Sequence, residues 1–123
     1  MTIALWCVLA AGLMPYVADS ISKAGGKADH HDPRAWTAQQ QGYRRRAHAA
    51  SLNAFEGFPL FAAAVIIAHL LRGPQAAANA LALGFIACRI LHLLFYVSDR
   101  PSLRSTVFGL GMLCVIGLFV ISA

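Results

Sequence analysis

Charged residues are scarce in this chain and unevenly spread. Of its 123 residues, 12% are charged and 59% are hydrophobic, whereas an average soluble domain is about a quarter charged. Four stretches contain no Asp, Glu, Lys or Arg: residues 1–18, 57–71, 73–88 and 105–123. One membrane span needs about 20 mainly apolar residues. The distribution therefore argues against an ordinary soluble domain and predicts an all-α integral membrane protein of four helices.

Cysteine is also rare. Cys7, Cys88 and Cys114 each lie within an apolar stretch, and no CxxC pair occurs. An odd number of cysteines argues against a disulfide framework, so we expect three buried structural thiols. The acidic and histidine-rich segment at residues 29–32 fits no standard zinc spacing. We predict that this segment is a solvated loop and that the chain binds no metal.

The sequence has no basic residue before Lys23. A secretory signal peptide begins with a positively charged region, so we interpret the first apolar stretch as an uncleaved helix. The chain is then a single transmembrane domain, residues 1–123, with a loop over about 23–43. The predicted spans cover about residues 2–22, 44–71, 75–97 and 103–122.

Helix-breaking residues refine these boundaries. Pro15 is expected to kink or interrupt the first span, and Pro59 to kink the second. Before Pro59 only Gly42 interrupts a helix-compatible sequence, which predicts one long helix over about 36–71. His69 lies near the end of that helix, and we expect it at the membrane interface without a partner. In the fourth span, Gly109, Gly111 and Gly117 would allow close helix packing.

Positive charges collect in two of the three links between spans. Six lie between spans one and two, Arg100 and Arg104 lie between spans three and four, and only Arg72 lies in the second link. The positive-inside rule then places the first and third links in the cytoplasm and both termini on the other side. A nucleic-acid surface is disfavoured, because these residues flank apolar spans and have no aromatic stacking platform among them.

Polar residues inside the second span form one stripe. Arg46, Asn53 and Glu56 are separated by seven and three residues, which places them along one side of a helix. Glu56 lies ten residues beyond Arg46, roughly 15 Å deeper at 1.5 Å per residue. A charge at that depth is costly unless it is paired or functional.

The third span carries a second stripe. Arg89, His92 and Tyr96 follow at spacings of three and four, so they share one helix face. Spans two and three are antiparallel, so Arg89 and Glu56 are expected at similar depth. We predict that they form an ion pair, because either charge alone would be unpaired in hydrocarbon. The pair is explained equally well as a purely structural link between helices.

The fourth span begins with Arg104 and Ser105, near the same membrane surface. We expect them to line one cytoplasm-facing pocket together with side chains from spans two and three. Its cations and hydroxyl groups suit an anionic, peptide-like ligand with carboxylates and a thiolate. The predicted partners of Arg104 and Ser105 in this pocket are Arg46, Asn53, His92 and Tyr96.

Two segments resemble signatures of the MAPEG family, membrane-associated proteins in eicosanoid and glutathione metabolism. The segment RAHAASLNAFEGFPLF at 46–61 is similar to the family's second-helix signature, through its Asn-x-x-Glu-x-x-Pro-x-Phe core. The segment RILHLLFYVSDRPSLRS at 89–105 resembles the third- and fourth-helix signature of the microsomal prostaglandin synthases. The loop sequence Pro-Arg-Ala-Trp at 33–36 looks more like the bacterial members. Where eicosanoid synthases carry a second arginine before the Asn, this chain has Ala49 and Ala50.

The resemblance implies a four-helix bundle in a bacterial inner membrane and a homotrimer whose active sites lie between neighbouring subunits. It implies glutathione as co-substrate and a transferase or peroxidase reaction on a lipophilic electrophile. Arg104 would stabilise the glutathione thiolate, with Ser105 as its neighbour, and Arg89 would pair with the glutamate. The glutathione-binding positions implied by the resemblance are Arg46, Asn53, Glu56, Arg89, His92 and Tyr96.

Two other functions remain open from the sequence. One is a MAPEG-like membrane protein that binds lipid or glutathione without turnover. The other is a small multidrug transporter, which also has four spans. Such exporters resemble one another in carrying a glutamate in the first span, whereas here that span has only Asp19 near its end and the glutamate is in the second. This difference makes the transporter the weaker alternative.

Overall fold

Helices account for all regular structure in the chain. The computed structural model describes residues 1–123 and contains no strands. Four of its helices are long and apolar enough to cross a membrane, which confirms the predicted all-α, four-span architecture and makes the chain an integral multi-pass membrane protein. The helices are α1 (Ile3–Lys23), α2 (Pro33–Ala38), α3 (Tyr43–Arg72), α4 (Ala76–Val97) and α5 (Pro101–Ser122).

The predicted long helix over 36–71 is wrong, because the chain forms two helices there. The short α2 starts at Pro33, and the Asp32 side chain caps it by accepting a hydrogen bond from the Ala35 backbone N–H at 3.2 Å. The longer α3 starts only after Gly42, whose φ of 63° is a left-handed conformation that suits glycine. This local turn separates α2 from α3.

The two prolines inside spans do not divide them. α1 is continuous through Pro15, which is fully buried, and α3 is continuous through Pro59. Each proline removes one backbone donor from its helix. Because each helix continues past its proline, the predicted interruption at Pro15 is not present and both elements remain single spans.

Packing in the core depends on small residues. Phe61 of α3 and Phe85 of α4 stack with ring centroids 4.0 Å apart. Gly111 and Gly117 of α5 lie against the Cys88 and Leu81 side chains of α4, at distances where an added Cβ would be in close contact. These two glycines thus serve the close packing predicted for them, whereas Gly109 faces open space. Around the Phe61–Phe85 stack lie Ala4, Cys7, Ala11, Ala64, Val65, Ala78, Ala82, Val115 and Leu118.

A hydrogen-bonded cluster closes the end of the bundle where α1 and α4 begin. The Thr2 hydroxyl donates to His69 Nε2 at 2.7 Å, because His69 Nδ1 donates to the Val65 carbonyl at 2.9 Å. Asn79 accepts from the Ala4 backbone N–H at 2.9 Å. The expectation that His69 has no partner is therefore wrong. Its partner, Thr2, is 67 residues away in sequence.

The other end of the bundle, where α1 and α4 end and α3 and α5 begin, is called the basic end below. It carries the positively charged loop segments and the short α2. Arg46 joins two helices there, because its side chain donates to the Val97 carbonyl from Nε at 3.2 Å and from Nη2 at 3.0 Å. These bonds fix the start of α3 against the end of α4.

Candidate functional site

A cavity of about 230 Å³ lies between α3, α4 and α5 near the basic end. Five of the eight site residues predicted from the sequence line it, together with one phenylalanine. We call it the thiol-site cavity, after the ligand thiol that the family resemblance predicts for these positions. Its lining consists of Asn53, His92, Tyr96, Arg104, Ser105 and Phe108.

Two aromatic residues of α4 form one wall of the thiol-site cavity. His92 and Tyr96 are four residues apart and therefore share a face of the helix. Their rings meet edge to face with centroids 5.5 Å apart, and His92 is only 4% exposed. The Phe108 ring of α5 lies 6.1 Å from that of His92. The His92 ring is thus held between two aromatic neighbours.

Arg104 lies over this wall from α5. Its guanidinium carbon is 4.4 Å from the centre of the Tyr96 ring, a cation–π contact. A tight turn brings the two together: Asp99 adopts a φ of 59°, and the Arg100 N–H donates to the Phe95 carbonyl at 2.8 Å. Pro101 then starts α5. The short link between α4 and α5 therefore places a cation over an aromatic ring.

Asn53 contributes from α3. Its side-chain carbonyl oxygen is buried and has no hydrogen-bond partner in the chain. Buried polar atoms are nearly always hydrogen-bonded, and this unpartnered oxygen belongs to a residue that lines the cavity. Asn53 also borders a second cavity of about 180 Å³ that is mainly apolar. The second cavity adjoins the first through Asn53 and Phe108, and its remaining lining is Glu56, Gly57, Leu60, Met112 and Val115.

The predicted Glu56–Arg89 ion pair is wrong within one chain. Arg89 is 7% exposed, yet no carboxylate lies within 4.0 Å of it. Arg89 lies on the core-facing side of α4, whereas Glu56 is exposed in the second cavity. Glu56 is two residues from buried Ala54, which turns it about 200° away from the core side of α3 at 3.6 residues per turn. The two charges were predicted to lie at similar depth, but Arg89 is on the core-facing side of α4 and Glu56 is turned away from the core side of α3.

Three predicted residues therefore lie outside the thiol-site cavity. The Arg46 side chain is hydrogen-bonded to the Val97 carbonyl, Glu56 lines the second cavity and Arg89 is buried in the core. The residue that sequence reasoning missed is Phe108. Its position four residues after Arg104, on the same face of α5, was the signal that pointed to it.

Comparison with known protein families gives one match, and it covers nearly the whole chain. The model of the MAPEG family matches residues 3–123. The matched region includes all five helices and every lining residue of both cavities. Comparison with curated proteins and with solved structures gives no match.

Proposed function

The chain belongs to the MAPEG family, and we propose that it is a glutathione-dependent membrane transferase or peroxidase that acts on lipophilic electrophiles. The family includes glutathione transferases and peroxidases. The observation that carries the proposal is the thiol-site cavity, where Arg104, Ser105 and Tyr96 stand together at the basic end.

Arg104 is the residue that we assign to the thiolate. A free thiol has a pKa of about 8.5, so only a few per cent is ionised at neutral pH. A nearby cation favours the thiolate, which is the nucleophile. The Tyr96 ring holds the Arg104 guanidinium at the cavity, and the Ser105 hydroxyl, next to it in sequence, can donate a hydrogen bond to the sulfur.

The remaining groups match the rest of glutathione, a peptide-like molecule with two carboxylates, one ammonium group and two amides. We assign amide recognition to Asn53, whose buried oxygen lacks a donor, and hydrogen bonding to His92. Glu56 in the adjoining cavity is the carboxylate for the ammonium group. Arg89 has no carboxylate partner in its own chain and lines neither cavity, so we assign it no direct contact with the ligand. Arg46 supports the site by fixing α3 to α4.

The second substrate would reach the site from the bilayer. The second cavity is lined mainly by apolar residues, among them Leu60, Met112 and Val115, and it adjoins the thiol-site cavity. In the transferase reaction the thiolate attacks an electrophilic carbon, a carbon–sulfur bond forms, and the displaced electron pair leaves with the leaving group. Arg104 neutralises the thiolate until the attack.

Assembly and orientation complete the proposal. Ser105, Phe108 and Glu56 are exposed in the single chain, which leaves one side of both cavities open. We propose that a neighbouring subunit of a homotrimer closes this side. The basic end would face the cytoplasm, because positively charged links are retained there.

Calorimetry and turnover test the proposal together. Detergent-purified protein is titrated with glutathione to millimolar concentration and then assayed with a model aromatic electrophile. We expect saturable heat and enzyme-dependent conjugate formation. No heat at millimolar glutathione would overturn the glutathione site. Heat without turnover of any electrophile or hydroperoxide would overturn the enzyme and leave a non-catalytic binding protein.

A further inference from the structure

The largest cavity of the molecule is not the thiol-site cavity. It has a volume of about 550 Å³, lies at the basic end between α1, α2 and α3, and shares no lining residue with the other two cavities described above. We call it the α1–α3 cavity. It stands apart from the proposed reaction, which gives it no role.

The outer half of the α1–α3 cavity is charged. Asp19 accepts from Lys23 Nζ at 2.7 Å and from His48 Nδ1 at 3.4 Å. Arg34 also lines the cavity and takes part in neither of the chain's two ion pairs. The outer half of the cavity thus contains two permanent cations, Lys23 and Arg34, and one carboxylate, Asp19. This carboxylate already accepts hydrogen bonds from two donors. The net charge favours an anion.

The inner half of the α1–α3 cavity is aromatic and apolar. Tyr16 and Phe55 meet edge to face with ring centroids 5.4 Å apart, and Leu52 lies beside them in the lining. Tyr16 precedes Lys23 by seven residues, which places it about 10 Å further along the span. All three side chains are exposed, at 60%, 44% and 50% for Tyr16, Phe55 and Leu52. Within a membrane such a surface lies against acyl chains.

The short helix α2 forms one side of the α1–α3 cavity. Pro33, Arg34 and Thr37 contribute to the lining from this helix. The segment before it is tied down, because Arg44 Nη1 donates to the Ser22 carbonyl at 3.1 Å, and the Arg44 and Trp36 side chains pack closely against Gly26. Arg34 is therefore presented to the cavity by a fixed element.

We propose that the α1–α3 cavity binds the headgroup of an anionic phospholipid that carries headgroup hydroxyls, such as phosphatidylglycerol. Arg34 and Lys23 bind the phosphodiester, since guanidinium groups bind phosphate in a bidentate manner. Asp19 accepts from a headgroup hydroxyl, and one acyl chain packs along Tyr16 and Phe55. Basic pockets between membrane helices are established binding sites for anionic lipid headgroups. A free phosphate would leave the aromatic half unused.

Native mass spectrometry tests the proposal on the full chain, exchanged into detergent with equimolar phosphatidylglycerol and phosphatidylcholine. Wild-type protein should retain phosphatidylglycerol preferentially. Arg34→Gln should lower that retention about fivefold, the factor that corresponds to one cation near a lipid surface. The matched control is Arg45→Gln, which removes one exposed positive charge at the same end but not from the cavity. The control should retain the lipid as wild type does.

Two further arms distinguish recognition of the lipid headgroup from binding of a free phosphate ester. Asp19→Asn should reduce the preference for phosphatidylglycerol over phosphatidic acid, which has no headgroup hydroxyls. Displacement of the lipid by millimolar glycerol 3-phosphate would identify a site for a free phosphate ester and overturn the lipid assignment. Equal losses for Arg34→Gln and Arg45→Gln would show charge attraction without a site. A cavity that excludes every lipid because a second copy of the chain covers it would also overturn the proposal.

Discussion

The guanidinium carbon of Arg104 lies 4.4 Å from the centre of the Tyr96 ring, and this contact joins the start of α5 to the end of α4. Only the turn at residues 98–100 separates the two helices in sequence. A cation held on an aromatic face loses little freedom when an anion binds, because its position is already fixed. The pair therefore offers a preorganised partner for an anion, which in the proposed function is the glutathione thiolate. Preorganisation is the main source of electrostatic stabilisation in enzyme sites.

Replacing Arg104 should affect chemistry more than binding. For Arg104→Ala we expect kcat for glutathione conjugation to fall about 100-fold, the typical effect of removing one charge-stabilising donor. Glutathione affinity, measured by calorimetry, should change much less. Arg45→Ala removes an exposed arginine at the same end and serves as the control. A loss of binding equal to the loss of rate would show that Arg104 acts on ground-state binding.

The pH profile of conjugation gives an independent test of the same residue. The nucleophile is the thiolate, so the rate rises with pH through the pKa of bound glutathione. Under the proposed function, Arg104 favours the ionised form and lowers that pKa. In Arg104→Ala the midpoint of the profile should move upward, toward the free-thiol value of about 8.5, and Arg104→Lys should restore part of the difference. A midpoint that is unchanged in both variants would exclude thiolate stabilisation by this side chain.

The melting temperature of an Arg89 variant tests whether the Arg89 charge is paired in the absence of ligand. It is 7% exposed, and no carboxylate of its own chain lies within 4.0 Å. Removing an unpaired buried charge does not cost stability. We therefore expect Arg89→Met to melt at or above the wild-type temperature without glutathione. A fall of several degrees without ligand would show that an anion already pairs with Arg89 in the assembled protein.

Replacing Glu56 should affect glutathione binding and not the stability of the protein. It is exposed in the second cavity and makes no ion pair. Glu56→Gln should leave the melting temperature unchanged but weaken glutathione binding by about tenfold, since a hydrogen bond to a charged group contributes roughly 1.5 kcal/mol or more. Calorimetry of wild type and variant at the same pH measures this difference. Unaltered affinity would remove Glu56 from the site.

Sequence reasoning succeeded where the decisive interactions are local. Hydropathy identified the four spans, because each needs only its own apolar residues. His92 and Tyr96 share a face because of the helix period, and Arg104 follows after a short turn that leaves few geometries. The thiol-site cavity was therefore largely predictable as a set of neighbouring residues, whereas its role in glutathione chemistry remains a proposal.

Sequence reasoning failed where a contact depends on how a helix is rotated about its axis or on a partner that is distant in sequence. Counting residues places Glu56 and Arg89 at similar depth, but it does not fix how each helix is turned about its axis, and a two-residue offset reverses the face. The left-handed turn at Gly42 is one of several conformations open to glycine. The bond from Thr2 to His69 joins residues 67 positions apart, and only tertiary packing brings them together.

The Thr2–His69 hydrogen bond provides a test of the fold that is independent of the site. The Thr2 hydroxyl caps α1 by accepting from the Leu5 N–H at 3.3 Å and donates to His69 at 2.7 Å. Thr2→Val should reduce stability by about 1 kcal/mol or slightly more, seen as a lower melting temperature in detergent. Glutathione affinity should not change, because the cavity is at the other end.

Thr106→Val is the matched control for Thr2→Val. The Thr106 hydroxyl donates only to the Ser102 carbonyl of its own helix, at 2.9 Å. Its loss leaves the contacts between helices intact, so the melting temperature should stay close to wild type. Equal changes in the two variants would show that the Thr2–His69 bond contributes nothing beyond the loss of a hydroxyl.

The Phe61–Phe85 stack should be the strongest single contribution to the core. Phe61 is 0% exposed, and its ring lies 4.0 Å from that of Phe85. Helices in a bilayer associate through close packing, because lipid is as apolar as the side chains that they bury. Phe61→Ala removes that packing and leaves a cavity. We expect a loss of about 3 kcal/mol, the lower end of the range for buried Phe in soluble proteins, since part of the transfer term is missing in lipid.

Two variants make this last prediction specific to packing. Phe119→Ala deletes the same side-chain volume from α5, but that ring is 37% exposed, so its contacts are replaced by lipid or detergent and the melting temperature should change little. Phe61→Leu keeps an apolar side chain of similar bulk and should cost less than about 1.5 kcal/mol. Thermal melts of the three variants in one detergent decide the matter. If Phe61→Ala and Phe119→Ala melt together, burial against Phe85 adds no stability, and the four helices are held by their ends and their small residues instead.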